Sequence, residues 1–441
     1  MNHDPARAAI VLVHSALTEP AAAAAEEEEE QESQVPALTT ISALGDELIR
    51  EIFLRLPSLP TLVRAALTCR GLLRAVRSSP AFRRRFRELH PPPILGVFLD
   101  IYDDDEVLPA FAPVRRRSDP DHAAAVRGID VFLTRLPDDG ERNYDDDDYY
   151  DYDYEEDNDG DEPGWSMSEC RDGYAVLINW NTKQLAVYDP LTGALHLLPV
   201  PPDEIYKRRQ VEFHVFSFEE DHGSFRVVCV SSDGLAAAVL SSDTSKWQIF
   251  PLNEDVGLQA EGGHYWPHTG TLVNGSVYRT FANGTNVFVL NITTLQCSQI
   301  DLPLCVSGTD SFKIGETKDG KLCLVYASEL TLVVWVWRSG DDGINRWMRV
   351  KRFRLHNAIS EIPQHCSDEC LTLKVVGIIG GIVYLSTDSS DPRCWFLSFC
   401  LENEELNKLC CVTQSVHYYP YIMAWPNSFV HNKVNPLLEE A

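Results

Sequence analysis

The sequence of 441 residues is poor in basic charge: 38 Lys and Arg stand against 66 Asp and Glu, a formal net charge of −28. That deficit excludes sequence-independent binding of DNA or RNA, which depends on neutralising phosphates with Lys and Arg. It also excludes docking on an anionic membrane surface. Long apolar runs are missing too. The best, Leu330–Trp337, falls far short of the ~20 residues of a membrane-spanning helix. The 12 cysteines show no paired CxxC spacing and no disulfide framework. Several sit inside strand-like runs, such as those at 226–230 and 321–326, which fits a reducing compartment. His365, Cys366 and Cys370 cluster, but the second half of a zinc ligand set is absent, so no metal is expected. G-x-S-x-G, P-loop, H-E-x-x-H and Rossmann fingerprints are all lacking, and neither a catalytic residue nor a cofactor is expected.

The N-terminus does not read as a signal peptide. Asp4 spoils a positive leader, and His14 and Ser15 cut the apolar stretch Ala8–Val13. A soluble chain of the cytoplasm, the nucleus or both is the expectation. A hydrophobic content of 44%, with nine Trp and eighteen Phe, supplies ample core. The length favours two folded units plus tails. Much of the acidic charge sits in Glu26–Glu30 and in Asp138–Glu162, which read as solvated spacer. The resulting division is an Ala/Glu-rich leader at 1–37, a helical module at 38–90, a β domain at 91–430 with an acidic insertion at 138–164, and a tail at 431–441.

Within the helical module, Leu48, Ile49, Ile52, Phe53 and Leu56 recur at the spacing of one helix face. Asp46 and Glu47 fall in its first turn, where the helix dipole favours negative charge, and Pro57 stops it. Pro60 suits the first turn of a second helix carrying Leu62, Val63, Ala66 and Leu67. After Gly71 the pattern resumes with Leu72, Leu73 and Val76, and Ser79-Pro80 starts a further helix with Phe82, Phe86 and Leu89. A few short helices in about 50 residues bury too little surface to be comfortable alone and are usually completed by a partner or a neighbouring domain.

The run from Leu44 to Pro57, followed by Leu62-Val63-Arg64-Ala65 and Thr68-Cys69-Arg70, resembles an F-box, and Ser79–Phe86 is similar to the segment that follows many plant F-boxes. Two positions depart from that pattern: Gly45 replaces a proline, and Leu72 stands where a tryptophan is usual. The resemblance implies that the module docks a Skp-family adaptor, and through it a cullin scaffold. It implies a docking and packing set of Leu44, Leu48, Ile49, Ile52, Phe53, Leu56, Pro57, Leu62, Val63, Leu67 and Cys69. Which of these face the adaptor and which the module's own core is left open.

Beyond Pro91-Pro92-Pro93 the texture becomes that of strands: short Val, Ile, Tyr, Phe and Trp runs between Gly, Asn, Asp and Pro turns. A unit recurs, opening at Asp172-Gly173, Phe225, Asn274-Gly275, Asp319-Gly320 and Gly380-Gly381, roughly 45–60 residues apart. That period is blade-sized and predicts about six blades of a β-propeller, with a two-sheet β-sandwich as the alternative. A first blade is expected from Ile94–Asp100 and Gly128–Thr134, with Tyr418–Trp425 returning beside it to close the ring. The Tyr188–Gly193 turn and the closing Tyr419–Trp425 segment look like the F-box-associated propellers common in plants. Together the two resemblances imply the substrate-recognition subunit of an SCF-type ubiquitin ligase, with an unidentified protein target held by the propeller.

The rival is a secreted carbohydrate-binding or sialidase-like propeller. Ser339–Gly343 with Trp347, and more loosely Ser242-Asp243 with Trp247, come near a sialidase Asp-box, but the spacing is short. Turn residues ahead of an outer strand whose Trp packs between blades explain both. Glycosylation sequons occur at Asn274, Asn283 and Asn291, and two of them contain Asn-Gly, the dipeptide favoured in type I′ hairpins. His264–His268 could line a polar pocket or pack on its own aromatics.

Overall fold

The structure, a computed structural model, describes residues 44–100, 109–114, 119–137, 164–179, 181–206, 211–217, 224–231, 236–251, 270–280, 285–306, 312–340, 342–360, 371–388, 393–413 and 417–429. The chain divides into two compact units, Met1–Leu44 and Gly45–Ala441, and only Leu44 of the first is described. The leader, the acidic insertion, the tail, His264–His268 and the His365–Cys370 cluster lie outside the described residues.

Four short helices open the second unit: α1 (Asp46–Phe53), α2 (Leu59–Ala66), α3 (Arg70–Arg77) and α4 (Pro80–Leu89). Their starts follow the local chemistry. Asp46 and Glu47 occupy the first turn of α1, Pro60 that of α2, and the Ser79 hydroxyl caps α4 by accepting from the Phe82 amide at 3.2 Å. Ile49, Phe53, Leu62, Ala66, Leu72, Val76, Phe82 and Phe86 are buried along the faces these helices turn inward. Arg50 crosses from α1 to the end of α3, donating to the Ala75 carbonyl at 2.8 Å and the Ser78 hydroxyl at 2.9 Å.

The rest is a six-bladed β-propeller, and the sandwich is set aside. Blade I holds β1 (Ile94–Asp100) and β2 (Ala110–Pro113). Blade II is β3 (Ser166–Arg171), β4 (Tyr174–Asn179), β5 (Gln184–Asp189) and β6 (Ala194–Pro199). Blade III is β7 (Val211–Ser217), β8 (Phe225–Ser231), β9 (Ala236–Ser241) and β10 (Lys246–Pro251). Blade IV is β11 (Thr271–Val273), β12 (Ser276–Thr280), β13 (Asn286–Asn291) and β14 (Cys297–Asp301). Blade V is β15 (Phe312–Glu316), β16 (Leu322–Ser328), β17 (Thr331–Ser339) and β18 (Asn345–Arg354). Blade VI is β19 (Thr372–Ile379), β20 (Ile382–Asp388), β21 (Arg393–Cys400) and β22 (Leu406–Thr413). The last strand, β23 (His417–Ile422), returns to pair antiparallel with β1 (Phe98 opposite Tyr419), so blade I is ordered β2-β1-β23 and the ring closes. Closure removes the free edges that an open sheet would expose.

One expectation for blade I fails. Gly128–Thr134 forms no strand, and β2 takes the place beside β1. The chain instead builds α5 (Pro120–Arg127), capped by the Asp119 carboxylate on the amides of Asp121 and His122, with Gly128 at its end. Beyond it, Asp130 binds blade II through the Pro190 carbonyl (2.8 Å) and the Tyr188 hydroxyl (2.6 Å), leaving Phe132 exposed. An Asp-Pro start and a Gly stop outweigh the apolar run that follows them.

Apolar residues fill the spaces between neighbouring blades: Val176, Leu185, Phe213 and Val227 between II and III, for example, and Val334, Phe353, Leu385 and Phe399 between V and VI. Alternation of antiparallel strands sorts the connections onto two ends of the ring. One end carries the tight turns that follow the inner strands, with positive φ at Asp172-Gly173, Asn274-Gly275, Gly320 and Gly380-Gly381. The first residues of the inner strands β3, β7, β11, β15, β19 and β23 lie at the other.

Candidate functional site

Two places in the second unit gather chemistry: the outer face of the helical module and the centre of the ring. In the module, burial divides the expected docking set. Ile49, Phe53 and Leu62 are buried and serve the module's own core. Leu44, Leu56 and Val63 are half-buried. Leu48 (56% exposed), Ile52 (43%) and Leu67 (54%) are open to solvent, as are Pro57 and Cys69. Leu48 and Ile52 lie one helical turn apart on α1, away from Ile49 and Phe53. The two departures from the F-box pattern have different addresses. Leu72 is buried among the helices, so it belongs to core packing. Gly45 caps α1 with φ −65° and ψ 153°, within reach of proline, and a side chain there meets open space.

The module is fastened to the tight-turn end of the ring. Arg64 of α2 pairs with Asp121 of α5 at 3.0 Å, and His122 Nε2 lies 2.9 Å from the Ile94 carbonyl at the start of β1. After β23 the chain runs beneath the helices. The Met423 amide donates to the Pro93 carbonyl, Arg77 donates to the Ser428 carbonyl, and Trp425 packs its edge on Phe86 with ring centres 5.9 Å apart. The Arg87 guanidinium lies 5.0 Å above the Trp425 ring. Gly173, in the first turn of blade II, is required here. Its φ is +79°, and a Cβ would come within 2.7 Å of Ala424.

The centre of the ring holds a cavity of about 160 Å³ lined by the inner strands, including Glu169, His214, Lys313, Glu316, Lys374 and His417. On one side Glu169 and Glu212 grip a buried His214: its Nδ1 is 3.2 Å from Glu169 and its Nε2 is 3.7 Å from Glu212. Burial alone would hold His214 neutral. The two carboxylates outweigh it and push the imidazole up to about 9, so it is a cation at neutral pH. Glu212 is in turn held below its ordinary range despite burial, by Arg279 (3.6 Å) and His214 and by the Gly270 amide (3.1 Å). Arg279, itself buried, donates to the Ser231 carbonyl at 2.5 Å and so ties blade IV to blade III.

On the opposite side Lys313, Lys374 and His417 converge from blades V, VI and I. Burial and the neighbouring Lys374 hold the Lys313 ammonium below its ordinary value. Burial, Lys313 and Lys374 do the same to His417. Sequence reading missed all of these residues. Their signal was slight: a charged residue at alternate positions of short strands, as in Val211-Glu212-Phe213-His214-Val215 and Phe312-Lys313-Ile314.

The motifs set against an enzyme reading fall where turn chemistry puts them. Trp347 of β18 packs edge-on against Trp337 (5.3 Å) between blades IV and V, and Asp342 binds Arg346 (2.6 Å) within its own hairpin. Trp247 of β10 packs between blades II and III and donates to the Pro199 carbonyl at 2.8 Å. Asn274-Gly275 is a two-residue hairpin turn with positive φ at both positions, and Asn291 accepts from the amides of Thr293 and Thr294. Asn283 lies outside the described residues. Among the described residues no group of three or more His, Cys, Asp and Glu side chains is placed to hold a metal ion. No helix among them is long and apolar enough to cross a membrane.

Solved structures similar to this chain are remote in sequence. A luciferin-regenerating enzyme is 11% identical with a TM-score of 0.33, over 57% of this chain and 77% of that one. Hydrazine synthase of Kuenenia stuttgartiensis is 11% identical with a TM-score of 0.33, over 57% and 67%. A Lactobacillus plantarum protein is 12% identical with a TM-score of 0.33, over 56% and 70%. At that distance the likenesses carry no functional argument. No curated protein matches the chain. Residues 166–429, from β3 through the segment beneath the helices, match the family described as F-box protein AT5G49610-like, beta-propeller. The match covers more than half of the chain and leaves out the four helices and strands β1 and β2. The chain therefore belongs to the AT5G49610-like F-box protein β-propeller family.

Proposed function

We propose that this chain is the substrate-recognition subunit of an SCF-type ubiquitin ligase, working in the cytoplasm or nucleus without chemistry of its own. The helical module docks a Skp-family adaptor and, through it, a cullin. The propeller holds a protein to be ubiquitinated. The observation that carries the reading is the division of the docking set in a chain of an F-box protein family. Ile49, Phe53 and Leu62 are consumed by the module's core, while Leu48, Ile52 and Leu67 remain open on a module otherwise well packed. Tethering client and ubiquitin-transfer machinery turns a bimolecular encounter into one at high effective concentration.

The test is a pull-down of the full chain against a plant Skp-family adaptor, beside a Leu48→Asp/Ile52→Asp double variant. Retention of the wild type alone is the expected result. Equal retention of both, or of neither, overturns the docking assignment. Both side chains point to solvent, so the variant keeps the fold, and an unchanged melting curve checks that. Leu56, half-buried, suits the test less well because its replacement also disturbs packing.

A further inference from the structure

The outer rim of blade V departs from the charge of the rest of the chain. β18 is the edge strand of that blade, hydrogen-bonded to β17 on one side and to none of the described strands on the other. Five of its ten residues are Lys or Arg and none is acidic, in a chain of net charge −28. The other outer strands, β2, β6, β10, β14 and β22, carry at most one basic residue each. Two of the basic groups of β18 are balanced locally: Arg346 pairs with Asp342 at 2.6 Å, and Lys351 with Glu404 of blade VI. Arg349, Arg352 and Arg354 are exposed, and among the described residues they have neither an ion pair nor a hydrogen bond. Arg352 and Arg354 flank Phe353, which is buried against blade VI, so both lie on the opposite face of the strand.

A bulge adds an apolar group to this edge. Lys351 stands opposite Val334 and Arg349 opposite Trp335, which leaves Val350 as the extra residue, 52% exposed between basic side chains. A strand edge is commonly guarded by a charge or a bulge against pairing with its own kind. One or two charges of either sign suffice for that, and the other outer strands have no more. Pairing β18 with its counterpart in a second copy would set Lys and Arg against Lys and Arg, which is unfavourable across strands. The same row of cations attracts an acidic strand, and the outward backbone groups of the edge offer it main-chain hydrogen bonds. Charge complementarity thus selects the occupant. The rim is also clear of the helical module, whose seat lies at Pro93 before blade I and at Gly173 in the first turn of blade II. Blade V stands opposite blade II in the ring.

We infer that β18 is a docking edge for an acidic, extended segment of the captured protein. The segment adds to blade V as a further strand, with carboxylates on Arg349, Arg352 and Arg354 and an apolar side chain against Val350. The inference rests on the receptor reading for the source of the segment; the edge and its charge stand without it.

The purified full chain, without adaptor, is titrated with a short peptide alternating Glu and Val, a matched peptide alternating Lys and Val, and a single-stranded RNA oligonucleotide. Binding is followed by fluorescence anisotropy of the labelled probes, and its location by hydrogen exchange. The wild type is compared with an Arg349→Gln/Arg352→Gln/Arg354→Gln variant and with Lys246→Gln on the outer strand β10. All of these side chains are exposed, so the variants keep the fold. The Glu peptide is expected to bind and to slow exchange of the β18 amides. The triple variant is expected to weaken that binding about tenfold or more, and Lys246→Gln to leave it unchanged. Methylating alternate backbone nitrogens of the peptide is expected to abolish binding, because an added strand needs those donors. Equal binding of the methylated peptide leaves charge attraction alone and overturns strand addition. No binding of any probe, equal binding of the Glu peptide by wild type and triple variant, or equal binding of the Lys peptide overturns the site. Tighter binding of RNA than of the Glu peptide overturns the choice of a protein segment. Binding of the Glu peptide only after deletion of residues 138–164 gives the edge to the chain's own acidic insertion and overturns the client assignment. Because no adaptor is present, each of these failures is distinct from a failed adaptor pull-down.

Discussion

Single residues show where the ring is tight. Gly315 on β15 faces β19, and a Cβ there would lie 2.4 Å from the Ile378 Cβ and 2.5 Å from its carbonyl oxygen. A neighbouring backbone cannot give way as a flexible side-chain tip can. Gly315→Ala should therefore cost about 1–3 kcal/mol, read as a lower denaturant midpoint. His214 makes stability depend on pH. Folding raises its pKa from 6.5 to about 9, because Glu169 and Glu212 outweigh its burial. Its contribution is full below pH 6.5 and is lost as pH rises through 9. The difference in unfolding free energy between wild type and His214→Gln should shrink by roughly 3 kcal/mol over that window. A difference that stays constant would mean a neutral imidazole. Neither residue was legible in the sequence as special. Gly315 sits in an ordinary strand run, and the partners of His214 lie 45 residues away in Glu169 and two in Glu212.

At the scale of elements, local signals did well wherever the chain's own chemistry decides. Acidic first turns, Pro60 and Ser79-Pro80 placed the helices, and Asn-Gly and Asp-Gly placed hairpins. Gly45 offers a direct check. Its φ of −65° is already that of proline and the space around it is open, so Gly45→Pro should stabilise the chain by about 0.4–1 kcal/mol, seen as a higher melting temperature. The inner strands of blades II to VI escaped notice for a physical reason. Sequences such as Ser166–Arg171 and Val211–Ser217 line a polar channel on one side, which interrupts the apolar runs by which strands are recognised. The glycine-led openings of the repeat are consequently second strands of their blades, with the glycine in the turn before them. Blade I misled for the converse reason: Gly128–Thr134 is apolar enough for a strand, but a capped helix delivers it to the flank of blade II.

Across the whole molecule, the last strand holds two things together. β23 closes the ring on β1, and the residues after it lie against α3 and α4. A chain ending at residue 416 should lose both ring closure and the seat of the helical module. Exposed edges of β1 would then give aggregation, seen by light scattering. Trp425→Ala separates the two roles. It leaves β23 paired but removes the ring packed on Phe86 and beneath Arg87. Limited proteolysis should then cut among the helices more readily, while the main thermal transition of the propeller moves little.

The sequence by itself marked the helices, the hairpin turns and the blade-sized repeat, because turn residues, caps and apolar spacing act over a few positions. It also marked a helical module with more apolar surface than a small unit can bury. The tertiary structure alone decided which of those apolar residues are free: Leu48 and Ile49 are neighbours in sequence, yet one is open and the other buried. It alone decided that Lys313, Lys374 and His417 meet, since their separations of 61 and 43 residues carry no local signal and ring closure brings them together.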